Sequence, residues 1–184
     1  MSTLPRRTAT ALLIIDVQVG VVSAAHRRDA VIANIQTLLA SARASNTPVI
    51  WVAHSEGQMP IGSEGWQYVP ELVRLEGEPL VHKVHGDSFE GTNLEEVLAD
   101  AKVGHLVVVG AQTDACIRST IHGAFTRGYD VTLVSDAHTT EDATEWGAPP
   151  PEVIIKHTNM YWGFQSAPGR TAMVQPTAEV VFAP

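Results

Sequence analysis

The sequence predicts a doubly wound α/β fold, in which a parallel sheet is covered by helices on both faces. Short, wholly apolar runs rich in Val, Ile and Leu alternate with segments of helical period along the chain. Polar residues also stand where the apolar runs end, and open α/β sheets bind ligands beyond the carboxyl ends of their strands.

The first apolar run, Ala11–Val17, is interrupted only by Asp16 and reads as a strand buried on both faces. Asp29–Ser45 carries Val31, Ile32, Ile35, Leu38, Leu39 and Ala42 at helical spacing. Strands are expected at Pro48–Ala53 and Pro79–Val84, then a short helix over Thr92–Lys102. His105–Gly110 is a second fully buried strand. It leads into a helix rich in small residues, Asp114–Arg127, closed by Gly128. A strand at Asp130–Ser135, a helix at Pro150–Thr158 and a last strand at Ala178–Phe182 complete the pattern. Two segments lack a period, Ser55–Gly77 and Ala137–Pro151, and irregular loops of such length are usually functional or mobile.

Composition narrows the function. The 184 residues suit one domain spanning 1–184, and a chain that is 45% hydrophobic and 17% charged folds. The net charge is −8 with no basic cluster, so no nucleic-acid partner is expected. Asp16 breaks the first apolar run too early for a signal segment or membrane span, and the chain reads as cytoplasmic with no membrane partner. The single cysteine, Cys116, excludes an internal disulfide and a multi-cysteine metal site.

Chemistry concentrates at strand ends. A carboxylate inside an apolar run costs several kcal/mol unless paired, which marks Asp16. Lys83 ends another strand, and alone it reads more readily as a surface lysine. Cys116 follows Gly110-Ala-Gln-Thr113-Asp-Ala, just past the central strand. With Thr113 as N-cap, Cys116 falls in the first helical turn, where free N–H groups and the helix dipole lower a thiol's pKa and can bind an oxyanion.

Leu12-Leu-Ile-Ile-Asp16-Val-Gln18, His82-Lys83 before Gly86-Asp87-Ser88-Phe89, and Gly110-Ala-Gln-Thr113-Asp-Ala-Cys116 with Thr120 resemble the three signature blocks of the isochorismatase-like hydrolases. That family includes nicotinamidases, N-carbamoylsarcosine amidases and a lactam-opening streptothricin hydrolase. The resemblance covers almost the whole chain and implies a six-stranded parallel sheet. It also implies a catalytic triad of Asp16, Lys83 and Cys116, a cis peptide between Ala111 and Gln112, and an oxyanion hole from the N–H groups of Gln112 and Cys116. The implied reaction is hydrolysis of a C–N bond (amide, carbamoyl, imide or lactam) in a small molecule through an acyl-cysteine. Hydrolysis of a vinyl ether, redox chemistry at Cys116 and plain small-molecule binding are the alternatives.

Gln18, His54, Trp66, Phe89 and His138 are the expected pocket residues, His54 and His138 being equally readable as structural. Asp136 and His138 offer a rival Cys-His-Asp arrangement. His54 and Glu56 alone make a poor ligand set, so no metal and no cofactor are expected. Family members commonly assemble, and the aromatic run Asn159–Phe164 suits either core or interface, so a homo-oligomer is expected.

Overall fold

The computed structural model describes residues 2–182. In chain order the principal elements are β1 (Ala9–Ile15), α1 (Val19–Val22), α2 (Arg28–Ala44), β2 (Val49–His54), β3 (Leu80–Lys83), α3 (Leu94–Asp100) and β4 (Val103–Ala111). After a π-helical turn at Thr113–Ile117 come α4 (Arg118–Arg127), β5 (Asp130–Thr139), α5 (Pro151–Gly163), β6 (Ser166–Ala167) and β7 (Arg170–Gln175). The sheet has seven strands in the order β3-β2-β1-β4-β5-β7-β6. All neighbours pair in parallel except β6 with β7.

Alternation along the buried strands builds the two cores. Leu12 and Ile14 of β1, with Val107 and Val109 of β4, face the apolar stripe of α2. Leu13, Ile15, Leu106 and Val108 face the other way, onto Leu94 and Leu98 of α3, Ile121 and Phe125 of α4 and Trp162 of α5. Residues 11–15 are fully buried, and a Leu or Ile so placed contributes roughly 1.5–3 kcal/mol over an exposed one.

The expected architecture holds, with corrections to the elements. The strand expected at Ala178–Phe182 is absent: Thr177–Glu179 forms a 3-10 turn, and Phe182 and Val180 are packing residues on the α2 face. The last parallel strand is β7 instead, a half-buried stretch of mixed polarity that alternation does not reveal. The two-residue β6 raises the count from six to seven. β5 runs on from Ser135 to Thr139 through a register shift against β4, which carries His138 beside Gly110. α5 continues to Gly163, so Tyr161 and Trp162 are helical. The loop after β2 is firmly packed, with Val69 and Leu72 buried and the Tyr68 hydroxyl donating to the Val52 carbonyl.

Candidate active site

Three strand ends converge. Asp16 follows β1 with φ +52, a left-handed conformation that Asp tolerates better than most residues, and its N–H donates to Val52 O at 2.9 Å. Gly110 of β4 has φ +123, and an added Cβ would stand 2.0 Å from Ile15 O. Only glycine lets the two strands approach so closely beside Asp16. The next peptide but one along the chain, Ala111–Gln112, is cis.

Lys83, the last residue of β3, is buried among acceptors. Its Nζ lies 2.7 Å from Asp16 Oδ2, 3.1 Å from Cys116 Sγ, 3.3 Å from His54 Nδ1 and 3.2 Å from the His85 carbonyl. Four acceptors thus surround three N–H bonds. The Lys83 and Asp16 side chains are 0% and 1% exposed, so each charge depends on the other for compensation. The sequence-expected trio is therefore brought together around one ammonium.

Cys116 sits in the π-helical turn ahead of α4, where Ala115 N–H and Ile117 N–H both donate to Gln112 O at 3.1 Å. Gln112, not Thr113, is the N-cap residue. The Thr113 hydroxyl turns away from the helix to His138 Nδ1 at 2.8 Å. The expected lowering of the thiol pKa is also overturned. Burial and the Asp16 charge push the Cys116 thiol up to about 11, against the pull of Lys83. Burial likewise raises Asp16, and Lys83 opposes it. At neutral pH the thiol is therefore intact, beside a carboxyl of raised basicity.

The expected pocket residues divide. Gln18 is buried and committed to backbone: Nε2 donates to His54 O at 2.9 Å and Trp66 O at 2.7 Å, and Oε1 accepts His54 N–H at 2.8 Å. It fastens the β2 end to the following loop and has no donor left for a ligand. Phe89 is core, with Tyr129 at 5.7 Å and the Arg127 guanidinium 4.7 Å above its ring. Arg127 ends α4, at the opposite end from Cys116.

His54 does face the trio. An ammonium only donates, so His54 Nδ1 accepts from Lys83 and the ring proton sits on Nε2, 3.9 Å from Glu56 Oε2. Burial and Lys83 lower its pKa, keeping the ring neutral. Trp66 is half-buried and stacks on His82 with ring centres 5.5 Å apart. His138 is buried with both ring nitrogens occupied, and Asp136 Oδ1 accepts from Thr177, so the rival Cys-His-Asp arrangement is not assembled.

Among the described residues, no group of three or more His, Cys, Asp and Glu is placed to hold a metal ion. A groove of about 720 Å³ flanks the nucleophile turn, walled by Asp114 and Arg118 on one side and His157 and Tyr161 of α5 on the other. Reading the sequence missed Asn159, which bonds His138 Nε2 at 2.9 Å. Extending the α5 period past Thr158 is the signal that places it on the helix.

A parallel three-layer sheet with a cysteine, a lysine and an aspartate at its carboxyl edge defines an α/β enzyme scaffold. Residues 10–148 match the isochorismatase domain, and the chain belongs to the isochorismatase family of hydrolases. It is 32% identical over 142 residues to a streptothricin hydrolase of Streptomyces noursei, covering 74% of this chain and 56% of that protein. It is 35% identical over 108 residues to a secreted isochorismatase effector of Verticillium dahliae, covering 56% of this chain and 57% of that protein. The chain thus spans little more than half the length of these relatives. The crystal structure of an isochorismatase from Pseudomonas putida superposes with a TM-score of 0.81 at 31% identity, over 94% of this chain and 90% of that one. No helix among the described residues is long and apolar enough to cross a membrane.

Proposed function

We propose that the protein hydrolyses a C–N bond (amide, carbamoyl, imide or lactam) of a small molecule through an acyl-cysteine. The observation that carries this reading is the Lys83 ammonium set between Asp16 at 2.7 Å and Cys116 Sγ at 3.1 Å. Asp16 takes the thiol proton as Sγ attacks the carbonyl carbon, and Lys83 stabilises the thiolate as it develops. The N–H groups of Gln112 and Cys116 receive the oxyanion. As the tetrahedral adduct collapses, Asp16 returns the proton to the leaving nitrogen and the C–N bond breaks. Water then gives its proton to Asp16 and attacks the thioester. Release of the acid leaves a thiolate, which recovers that proton.

The raised Cys116 and Asp16 values suit this order, because an intact thiol needs a base and a carboxyl of raised basicity is a better one. His54, with Nε2–H turned away from Lys83, is the pocket residue we assign to a polar group of the substrate, and Trp66 a wall. A nucleophile that must stay reduced suits the cytoplasm. Val153, Met160 and Phe164, 47%, 54% and 81% exposed on or just after α5, suit contact with a second copy, which light scattering would reveal.

The test is a screen of amides, carbamoyl compounds and lactams for ammonia or amine release, with intact mass spectrometry of quenched enzyme. An added acyl mass on the peptide containing Cys116 supports the mechanism. Full turnover after complete alkylation of Cys116 sinks it.

A further inference from the structure

His138 has no place in the proton path above, yet both of its ring nitrogens are held by hydrogen bonds close to the nucleophile turn. Asn159 Nδ2 donates to Ser135 O at 3.0 Å, which leaves Asn159 Oδ1 as the atom 2.9 Å from His138 Nε2. A carbonyl oxygen only accepts, so Nε2 carries the ring proton. Nδ1 is then a bare lone pair, and the Thr113 hydroxyl, 2.8 Å away, donates to it. Thr113 is fully buried and is the first residue of the turn that carries Cys116. One neutral imidazole therefore ties β5 and α5 to the nucleophile turn.

We propose that His138 is a positioning residue: as an acceptor for the Thr113 hydroxyl it fixes the turn that holds Cys116 Sγ against Lys83. This deepens the cysteine-hydrolase reading and rests on it for its catalytic consequence. The geometry separates this role from mere packing, because the two ring nitrogens do different things. Nδ1 serves the turn, and Nε2 serves α5. An asparagine at 138 can place Oδ1 where Nδ1 stands, keeping the acceptor for Thr113. A glutamine can place Nε2 where the ring Nε2 stands, keeping the donor to Asn159 but not the acceptor.

The experiment compares Thr113→Val, His138→Gln, His138→Asn and the Thr113→Val/His138→Gln double variant. Two readouts are used: kcat and KM on an amide found by the screen, and the rate at which iodoacetamide alkylates Cys116 at pH 8. Thr113→Val and His138→Gln should each lower kcat about tenfold to hundredfold with little change in KM, as expected for a misplaced reacting atom. Both should slow alkylation about tenfold, because Sγ loses its cationic neighbour. His138→Asn should stay near the wild type, and the double variant should be no worse than either single one. Rescue by Gln rather than Asn, additive losses, or an unchanged alkylation rate in Thr113→Val would overturn the proposal. Thr113→Val decides the matter even where a His138 variant does not fold. Absence of any amide turnover would count against the hydrolase reading, while the alkylation series still judges the latch.

Discussion

Replacing Lys83 by Met tests the buried ion pair by leaving Asp16 without its counter-charge. Both side chains are essentially inaccessible and 2.7 Å apart, so water cannot replace the lost ammonium. An unpaired buried carboxylate escapes by taking a proton, and that bounds the penalty. From an ordinary value of 3.8, holding a proton at pH 7 costs about 4 kcal/mol at 1.36 kcal/mol per pH unit. This agrees with the ~3–5 kcal/mol seen when one partner of a buried pair is removed. Folded Lys83→Met then carries a proton on Asp16 that the unfolded chain has released. Acid therefore favours the folded variant between the unfolded value near 3.8 and the raised folded value. Urea titrations followed by tryptophan fluorescence should find the variant about 3–4 kcal/mol less stable than wild type at pH 7, and the variant's own stability should rise by ~1.4 kcal/mol per unit towards pH 4. The Asp16→Asn/Lys83→Met pair should lose that pH dependence. A variant whose stability stays constant from pH 7 to 5, or a pH dependence that persists unchanged in the double variant, would falsify the account.

Cys116→Ser should keep the melting temperature within a few degrees and lose turnover by about three orders of magnitude or more, since a serine hydroxyl is far harder to ionise beside Asp16. Asp16→Asn should also nearly abolish turnover, yet speed alkylation of Cys116 as followed by intact mass, because the charge that raises the thiol is gone and Lys83 remains. Turnover should survive exhaustive dialysis against EDTA, because His54 Nδ1 is occupied by Lys83 and lacks two further ligands; recovery of a chelated, inactive enzyme on adding zinc or manganese would refute this. Gly110→Ala should cost at least ~3 kcal/mol in a thermal or urea melt, from its positive φ and the collision with Ile15 O.

Much of the fold was legible because buried parallel strands leave an unmistakable apolar signature, as in Ala11–Ile15 and Leu106–Val109. The chain failed to announce β7 because Arg170–Gln175 lies towards the sheet edge, half-buried, where composition is little constrained. Asp16 stood out because a carboxylate in an apolar run needs an explanation. Lys83 did not, since nothing in the letters separates a buried lysine from a surface one, and only the resemblance singled it out. Thr113 was read as a local cap, but its partner lies 25 residues away, a distance that no local rule can span. The thiol was misjudged because the helix-end effect is a local argument, whereas burial and the Asp16 charge come from tertiary structure.

The Gln18 amide separates what can vary in this protein from what cannot. It ties both the end of β2 and the carbonyl of Trp66 to the residue two past Asp16, so the inner edge of the loop is indexed to the reacting atoms. A second pin is Met59, buried where an added Cβ on Gly20 would meet its sulfur at 2.9 Å. Between these pins the chain from Pro60 to Glu64 is largely exposed, and Gly62 has open space around it. That short arc is a natural cassette: its length and lettering can be rewritten while the chemistry beneath keeps its alignment.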